Sequence, residues 1–470
     1  MPLASLAHYL SRASPTEGLY TVAKWGAVLV LVASLRAWSR GYVCKEDREL
    51  AGKTYIISGG LSGVGLAVLQ SLAARGAQVI ALHPGEVTPT ILELLLLLRS
   101  TTGNDRIYAD RCDLTSVDSI RDFVLRWRKD ARAGMVGDLE VRLDGILFLD
   151  GDAEEGQAMP FGRMQAWAPQ RGAPAERLSK HRMNRLTGRH ALVQLMLPIL
   201  LRSATTTTSP LRIISTVSPF YAAAAAAAPA RFRPLDLDYT ASEAGAAFPH
   251  RAPWLAEGQV ALASVLLWRE FHMRLSTLAP RSSAPASTPT PAPSSPAAAA
   301  SAAPLLALSV CPGLTRASLR ALLAPSIRAP ARLVAYVLLL PLIWLVAKSA
   351  DEAAQGTLGA LMAEVEGASE ADKAARGSGG EGDKEAGRAA KGYEGGDAPA
   401  RMRVRGGALY REGREVRIAA LDALPPSVGA SLWENECEIV ERLLLAAAKA
   451  EKAEDKAGLS PRGTEGKKDV

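Results

Sequence analysis

The residues of this sequence best suited to chemistry form a glycine-rich run at residues 58–65, which reads SGGLSGVG. The run follows a β-branched segment and precedes a segment with helical periodicity. Glycines let the backbone approach a diphosphate closely because they lack Cβ atoms, and the start of a helix directs free N–H groups and a positive dipole end at phosphates. Gly59, Gly63 and Gly65 are placed for these roles. The pattern predicts a dinucleotide site, and a glycine-rich turn without a ligand is the alternative.

The segments around this turn alternate between strand and helix patterns, which is typical of a parallel, doubly wound α/β sheet. Short β-branched runs predict strands at residues 55–58, 78–82, 106–113, 145–149, 211–216 and 305–311. Helical periodicity predicts helices at residues 64–75, 88–99, 117–128, 184–201, 259–275 and 428–448. A short hairpin is expected at residues 408–420, and the Ala run at 222–228 is interpreted as a loop expansion. The expected fold class is therefore α/β.

The glycine-rich run resembles the TGxxxGxG motif of the short-chain dehydrogenase/reductase family, with Ser58 in the place of the family's Thr. The resemblance extends over residues 52–444, apart from insertions, and implies a Rossmann-type doubly wound sheet that binds NADP or NAD. The residues that it assigns to the cofactor within the run are Ser58, Gly59, Ser62, Gly63, Val64 and Gly65.

Three further segments resemble the family's cofactor site. Asp113 follows the third strand and is similar to the acidic residue that contacts the adenine in family members. Leu114 is similar to the residue that comes after that acidic residue. Asp113 could also be the N-cap of the next helix, and both roles can hold. Gly151 ends the segment FLDG, which keeps only the glycine of the family's NNAG. Pro312 and Gly313 resemble the Pro-Gly pair beside the nicotinamide.

The end of the second strand bears on the choice between NADP and NAD. Family members often have an Arg here that selects the 2′-phosphate, whereas this sequence has His83 followed by Pro84. No acidic residue at this place clearly signals NAD. The sequence therefore leaves both cofactors open.

Two catalytic positions of the family are matched in this sequence. Asn184 resembles the family's structural Asn, although one residue is inserted between Asn184 and Gly188. Ser218 ends the segment RIISTVS, which resembles the strand that carries the catalytic Ser. The resemblance makes Ser218 a candidate for the group that holds the substrate oxygen, and a structural Ser at a strand end is the alternative.

The family's proton-transfer pair is missing. Family members need a Tyr and a Lys one helical turn apart, because the charge of the Lys lowers the pKa of the Tyr, and the phenol passes a proton while hydride moves. The segment VALASVLLWREF at residues 260–271 resembles the family helix, and this register places Glu257 at the Tyr position and Ala261 at the Lys position. Residues 239–243, YTASE, are similar to YxxSK, but they precede the helix in a predicted loop, and we interpret them as a coincidental match.

Two apolar runs, residues 25–35 and 333–347, are each flanked by basic residues. Both are shorter than the about 20 residues that a membrane-spanning helix needs. We interpret the first as a membrane-inserted anchor or short hairpin, with a soluble helix and a signal-peptide core as the alternatives. We interpret the second, which contains Pro341 and Trp344, as a membrane-dipping helix, with a buried core helix as the alternative. The basic residues after the first run favour a cytosolic side for the rest of the chain.

Composition and charge argue against several kinds of site. The 470 residues carry a net charge of +7 that is spread along the chain, unlike the basic stripe of a nucleic-acid-binding protein. We interpret the excess as membrane-flanking charge, or alternatively as a solvated surface. The four cysteines are far apart and the histidines form no HxxxH pair, so we expect reduced thiols and no metal site.

The predicted organisation has three parts. Residues 1–50 are an N-terminal membrane anchor region, residues 51–445 a dehydrogenase domain and residues 446–470 a charged, disordered tail. Low complexity predicts disordered insertions within the domain at residues 280–304 and 364–398.

Residues 232–237 and 432–434 resemble the retinol-dehydrogenase-like branch of the family, whose members often act on lipophilic alcohols or ketones at membranes. The resemblance implies an oxidoreductase with a nicotinamide dinucleotide, a lipophilic small molecule and a membrane or lipid-droplet surface as its partners. Because the Tyr and Lys are missing, the alternative is a catalytically inactive cofactor-binding protein or scaffold. Either protein would face the cytosol at the endoplasmic reticulum or a lipid droplet.

Overall fold

A computed structural model describes residues 15–132, 142–149, 182–207, 209–227, 253–278, 304–316, 334, 341, 343–365 and 402–456. The strands among these residues are β1 (Thr54–Ser58), β2 (Gln78–His83), β3 (Ile107–Arg111), β4 (Gly145–Phe148), β5 (Leu211–Thr216), β6 (Leu305–Cys311), β7 (Glu364–Val365), β8 (Arg403–Val404), β9 (Leu409–Arg411) and β10 (Arg414–Val416). All except β7 and β8 belong to one sheet, in the order β10-β9-β6-β5-β4-β1-β2-β3.

The first six strands are parallel and follow the doubly wound order 3-2-1-4-5-6. The expected α/β fold with a Rossmann-type sheet is therefore confirmed. The hairpin of β9 and β10 extends the sheet beyond β6, with β9 parallel to β6 and β10 antiparallel to β9. The strand order reverses between β1 and β4, and ligands of such sheets bind outside the carboxyl ends of the strands at this point.

The helices are α1 (Pro15–Arg40), α2 (Gly63–Ala74), α3 (Pro89–Thr102), α4 (Val117–Arg132), α5 (Gly188–Thr206), α6 (Tyr221–Ala227), α7 (Pro253–Leu278), α8 (Ala350–Met362), α9 (Ala419–Asp422) and α10 (Pro426–Lys456). A π-helical turn, Met183–Thr187, leads directly into α5.

Helices cover both faces of the sheet because its central strands are apolar on both sides. Every residue of β4 and β5 is buried. On one face, Leu69 of α2 and Leu358 of α8 belong to the core. On the other face, Phe123 of α4, Met196 of α5 and Trp268 of α7 form a second core.

Three segments differ from the expectations. Residues 221–227 form helix α6 rather than a loop, because Ala has the highest helix propensity of all residues. The first two residues of the insertion expected at 364–398 form β7, which pairs with β8. Helix α10 continues to Lys456 and so enters the segment 446–470. Residues 280–303 and 366–398 lie outside the described residues.

The apolar run at residues 25–35 lies within one continuous helix, α1, rather than in a hairpin. In the described parts of the chain, no helix is long and apolar enough to cross a membrane. The C-terminal end of α1 is attached to the segment before α8. Arg36 donates to the carboxylate of Glu352 at 2.6 Å, and Ser39 Oγ donates to the carbonyl of Leu345 at 2.9 Å.

The second apolar run is described mainly at residues 343–347, and these residues differ in burial. Ile343 and Ala347 are buried, whereas Trp344 is exposed, and the guanidinium of Arg316 lies 4.0 Å from the centre of its ring. One side of this segment therefore packs on the protein while Trp344 faces outward.

Helix α10 is fixed to the π-helical turn by a buried carboxylate. Glu436 is fully buried and accepts a hydrogen bond from Arg182 at 2.7 Å and another from Thr187 Oγ1 at 2.7 Å. Arg182 precedes the turn and Thr187 ends it. The C-terminal helix therefore holds both ends of the turn.

Replacing Glu436 with Ala would leave the charge of Arg182 buried without this carboxylate, so we expect the free energy of unfolding to fall by about 3–5 kcal/mol. Urea denaturation followed by circular dichroism would measure the change. Glu438→Ala is the matched control, because Glu438 and its partner Arg442 lie on the same helix and their side chains are 69% and 70% exposed. We expect almost no change in the control. Equal losses in the two variants would contradict the importance of the buried pair.

Candidate functional site

The glycine-rich turn joins β1 to α2 along a backbone path that other residues rarely adopt. Gly59 and Gly63 have φ angles of +73° and +47°, in the left-handed region. A Cβ atom on Gly65 would lie 1.8 Å from the carbonyl oxygen of Gly59. Helix α2 can therefore come this close to the end of β1 only because residue 65 is a glycine.

The other residues of the run lie in the core or at the edge of the sheet. Val64 is buried in the core, so its side chain supports the turn and only its backbone can face a ligand. Ser58 is the last residue of β1, and Ser62 is the N-cap of α2, with an extended backbone. The first N–H groups of α2 therefore lie at the carboxyl edge of the sheet. This arrangement fits a diphosphate.

Asp113 closes a turn after β3. Its Oδ1 atom accepts hydrogen bonds from the backbone N–H and the hydroxyl of Thr115, both at 2.8 Å. Because α4 begins only at Val117, Asp113 does not cap that helix, and Ser116 precedes it instead. The N-cap interpretation of Asp113 is therefore wrong. Leu114 is buried beside it.

Asn184 lies in the π-helical turn, whose wider backbone ring accommodates one more residue than an α-helical turn. This geometry explains the residue inserted between Asn184 and Gly188. The carbonyl of Asn184 accepts a hydrogen bond from Arg189 Nε at 3.1 Å. A Cβ atom on Gly188 would lie 1.9 Å from the carbonyl oxygen of Leu114, so the start of α5 lies directly against the segment after β3.

Ser218 lies two residues after β5 and is buried. Its carbonyl accepts a hydrogen bond from the backbone N–H of Tyr221 at 3.2 Å, at the start of α6. Its Oγ atom has no hydrogen-bond partner among the described residues. The hydroxyl is thus a polar group buried at the carboxyl edge with its bonding capacity unused within this part of the chain.

Glu257, which the predicted register places at the position of the family's Tyr, belongs to a cluster of charges on α7, the π-helical turn and α5. Its side chain is buried, and its charge acts on the guanidinium groups of Arg185 and Arg189. Burial lowers the pKa of each Arg to about 10, and the charge of Glu257 opposes this shift. Arg189 also donates to Ser215 Oγ at 2.9 Å and to the carbonyl of Thr216 at 3.1 Å.

Ala261, at the position of the family's Lys, lies in an apolar cluster that also contains Tyr221 and Cys311. Its methyl group supplies no charge. A Cβ atom on Gly258 would lie 2.4 Å from the carbonyl oxygen of Phe220, so α7 packs closely on the start of α6. Position 257 therefore holds a carboxylate near two guanidinium groups instead of a phenol. Position 261 holds a methyl group in an apolar cluster instead of an ammonium group.

Gly313 follows β6 with a φ angle of +89° and lies beside a partly buried ion pair. The pair joins Lys348 to Glu412, and a Cβ atom on Gly313 would lie 3.4 Å from Lys348 Cε and 3.5 Å from the Glu412 carboxylate. The Glu412 carboxylate also accepts from the backbone N–H of Tyr42 at 2.9 Å. Pro312 is half-buried before Gly313.

Sequence reasoning missed the two charge clusters. Arg185 and Arg189 carry no motif, and Lys348 stands out in the sequence only as the basic flank of an apolar run. Glu412 has a φ of +53° in a two-residue hairpin turn, where Gly, Asn or Asp are usual. A Glu at a turn position that usually holds Gly, Asn or Asp is the one sequence signal that could have identified this ion pair.

Gly151, Tyr239 and residues 232–237 lie outside the described residues. The expectations for them stay predictions.

No family model matches the sequence. An uncharacterized oxidoreductase of Saccharomyces cerevisiae, YNL181W, is 32% identical over 152 residues, which is 32% of this chain and 34% of that protein. Mouse retinol dehydrogenase 13 is 32% identical over 113 residues, 24% of this chain and 33% of that protein. Human polyprenol dehydrogenase is 29% identical over 119 residues, 25% of this chain and 34% of that protein. The chain spans about a third of the length of these relatives.

Among solved structures, an oxidoreductase, yciK, from Escherichia coli matches this chain with a TM-score of 0.38 and 16% identity over 65% of this chain and 96% of that one. A complex of Pseudomonas aeruginosa RhlG with NADP has a TM-score of 0.38 and 19% identity over 66% of this chain and 92% of that one.

The contact between residue 65 and the Gly59 carbonyl leaves no room for a methyl group. We expect Gly65→Ala to lower the free energy of unfolding by about 1–3 kcal/mol, because the helix must move away from the strand. The control is Gly356→Ala in α8, where the nearest atom to a new Cβ would be 3.9 Å away. Ala should stabilise that helix by about 0.5–1 kcal/mol. Chemical denaturation of both variants should give changes of opposite sign, and changes of the same sign would contradict the close contact.

Proposed function

We propose that this chain is a retinol-dehydrogenase-like member of the short-chain dehydrogenase/reductase family, that it binds a nicotinamide dinucleotide, and that it is an oxidoreductase for a lipophilic alcohol or ketone at a membrane surface. The observation that carries the proposal is the glycine turn. It combines two left-handed glycines with a helix start that faces the carboxyl edge of a doubly wound sheet. Such an edge is where dinucleotides bind in this architecture.

The residues that would hold the cofactor lie along this edge. The N–H groups that begin α2 would bind the diphosphate, and Asp113 and Leu114 after β3 lie on the adenine side. Pro312 and Gly313 after β6 lie on the nicotinamide side. When bound, NAD or NADP supplies the hydride chemistry that no side chain can provide.

Ser218 is the group best placed to hold the substrate oxygen, because its buried hydroxyl has no partner among the described residues. Arg189 donates to the carbonyl of Thr216, two residues before Ser218, so a guanidinium lies on the same side of the site. A preorganised positive charge near the reacting oxygen would stabilise negative charge that develops there.

A second function, a cofactor-binding protein or scaffold without catalysis, is favoured by one observation. Glu257 lies at the position of the family's Tyr, buried near two guanidinium groups, and Ala261 at the Lys position lies in an apolar cluster. Neither residue can pass a proton in the way a Tyr beside a Lys does. An active enzyme would need another proton donor.

The proposed membrane contact is supported by the surface of α1. Residues 28–32 are between 40% and 68% exposed, and five consecutive residues point to all sides of a helix. A helix that is apolar on all sides is rarely stable in water alone. The guanidinium of Arg316 lies over the ring of Trp344, and such a pair is suited to a membrane interface. We place the protein at the cytosolic face of the endoplasmic reticulum or a lipid droplet.

The location of this apolar surface supports a lipophilic substrate. Lys348 follows the segment of Trp344 and pairs its backbone with Thr315, two residues after Gly313. Leu314, between Gly313 and Thr315, is exposed. A lipophilic molecule that enters from the membrane would therefore reach the nicotinamide side of the site first.

Calorimetry with NADH and NADPH on the full chain, followed by hydride-transfer assays with retinoid and polyprenoid alcohols and aldehydes, tests the function. We expect cofactor binding, and we expect the rate of hydride transfer to fall by about 100-fold or more in Ser218→Ala. The variant lacks the hydroxyl that would donate a hydrogen bond to the reacting oxygen. Binding without hydride transfer on any of these substrates would favour the non-catalytic protein. Absence of heat with both cofactors would refute the proposal.

Flotation with vesicles of phosphatidylcholine and phosphatidylserine tests the membrane contact. The double variant Leu29→Glu and Leu31→Glu should stay at the bottom of the gradient, because charges on α1 oppose insertion into lipid. The matched control is Leu96→Glu with Leu97→Glu, which changes two exposed leucines of α3 on another part of the surface. It should float like the unmodified protein. Loss of flotation in both double variants, or in neither, would rule out α1 as the lipid contact.

A further inference from the structure

A tyrosine and an arginine that no sequence motif indicated lie together at the carboxyl edge of the sheet. Tyr221 begins α6, and its backbone N–H donates to the Ser218 carbonyl at 3.2 Å. The Tyr221 side chain is buried in an apolar cluster that also contains Ala261 and Cys311. Because Cys311 is the last residue of β6, the ring lies where that strand leads into Gly313.

Arg411, the last residue of β9, brings a positive charge to this ring. It is paired in register with Cys311, so the two side chains leave the sheet on the same face. The guanidinium of Arg411 lies within hydrogen-bonding reach of the Tyr221 phenol. Arg411 is exposed, so the phenol and the guanidinium meet between the apolar cluster and the surface.

The two side chains change each other's affinity for protons. Burial raises the pKa of Tyr221, and Arg411 opposes this shift because its charge favours the phenolate. Burial also acts against the charge of Arg411, and the hydrogen bond with Tyr221 is the largest of the effects that raise its pKa above the ordinary value. A phenol beside a permanent positive charge can release its proton and remain as a stabilised phenolate.

The position of the phenol fits the part of the site that lacks a proton donor. Tyr221 follows Ser218, whose buried hydroxyl has no partner among the described residues, by three positions. Arg411 precedes Glu412, whose carboxylate would lie 3.5 Å from a Cβ atom on Gly313. A substrate oxygen that is held by Ser218 on the nicotinamide side would therefore lie near the phenol.

We propose that Tyr221 is the proton donor of this site and that Arg411 stabilises the phenolate that remains. This inference rests on the proposed function and adds the residue that exchanges the proton. In the reduction of a ketone, the carbonyl carbon gains a hydride from the reduced dinucleotide, and the carbonyl oxygen gains the phenol proton. The C=O double bond becomes a single bond, the dinucleotide is oxidised, and a proton from water restores the phenol. Oxidation of an alcohol is the reverse of these steps.

Tyr221→Phe tests the role, because phenylalanine keeps the ring in the apolar cluster and removes only the hydroxyl. We expect the rate of hydride transfer at saturating substrate to fall by about 100-fold or more, with unchanged dissociation constants for NADH and NADPH. Tyr108→Phe, which removes a phenol from an exposed side chain of β3, is the matched control and should keep the unmodified rate. Thermal melting checks that both variants are folded.

Ultraviolet titration of the phenols tests the pair without cofactor or substrate. Subtracting the titration of Tyr221→Phe from that of the unmodified full chain isolates Tyr221, and the same subtraction is made with each Arg411 variant. Arg411→Gln should move the Tyr221 midpoint to higher pH, because the phenolate loses its neighbouring positive charge. Arg411→Lys, which keeps a positive charge, should leave the midpoint below that of Arg411→Gln.

Three results would overturn the inference and leave the proposed function standing. These are full hydride transfer in Tyr221→Phe, an equal loss in Tyr108→Phe, and a Tyr221 midpoint that Arg411→Gln does not move. If Glu257→Gln abolishes hydride transfer while Tyr221→Phe retains it, the buried carboxylate is the donor instead. If the folded, unmodified protein binds neither NADH nor NADPH, the proposed function itself is refuted, and the role of Tyr221 falls with it.

Discussion

The close approach of α2 to the end of β1 is the constraint on which the rest of the site depends. Gly65 lies so near the Gly59 carbonyl that only a hydrogen atom fits between the helix and the turn. That approach brings the start of α2 to the carboxyl edge of the sheet, level with the ends of β2 and β3. The free N–H groups of the helix and the turn of Asp113 therefore share one edge.

The sheet could be predicted from the sequence because its signals are local. Runs such as 211–216 and 305–311 are rich in apolar residues, as buried parallel strands usually are, and their bounds agree with the structure. The hairpin of β9 and β10 and the helix after it were also foreseeable from turn residues and periodicity. The prediction of a loop for the Ala run at 222–228 was wrong, because a stretch of low complexity can still form a helix when every residue favours one.

The candidate site was predictable only where the backbone geometry requires one particular residue type. A left-handed turn demands glycine, so the positions of Gly59 and Gly63 follow from the motif. A buried charge cluster has no such signature, because its partners come from segments far apart in the chain. Glu257 meets Arg185 and Arg189 only after α7 packs against the π-helical turn that leads into α5, and a missing Tyr in the sequence says nothing about what fills its place.

The carboxylate of Glu412, which pairs with Lys348, links the segment before β1 to the hairpin of β9 and β10. Glu412 is held in a left-handed conformation by Lys348 on one side and by the backbone N–H of Tyr42 on the other. The same carboxylate lines the approach to Gly313. Trimming the chain at residue 50 to obtain a more tractable protein would thus remove one of the two supports of that hairpin and alter the surroundings of Gly313.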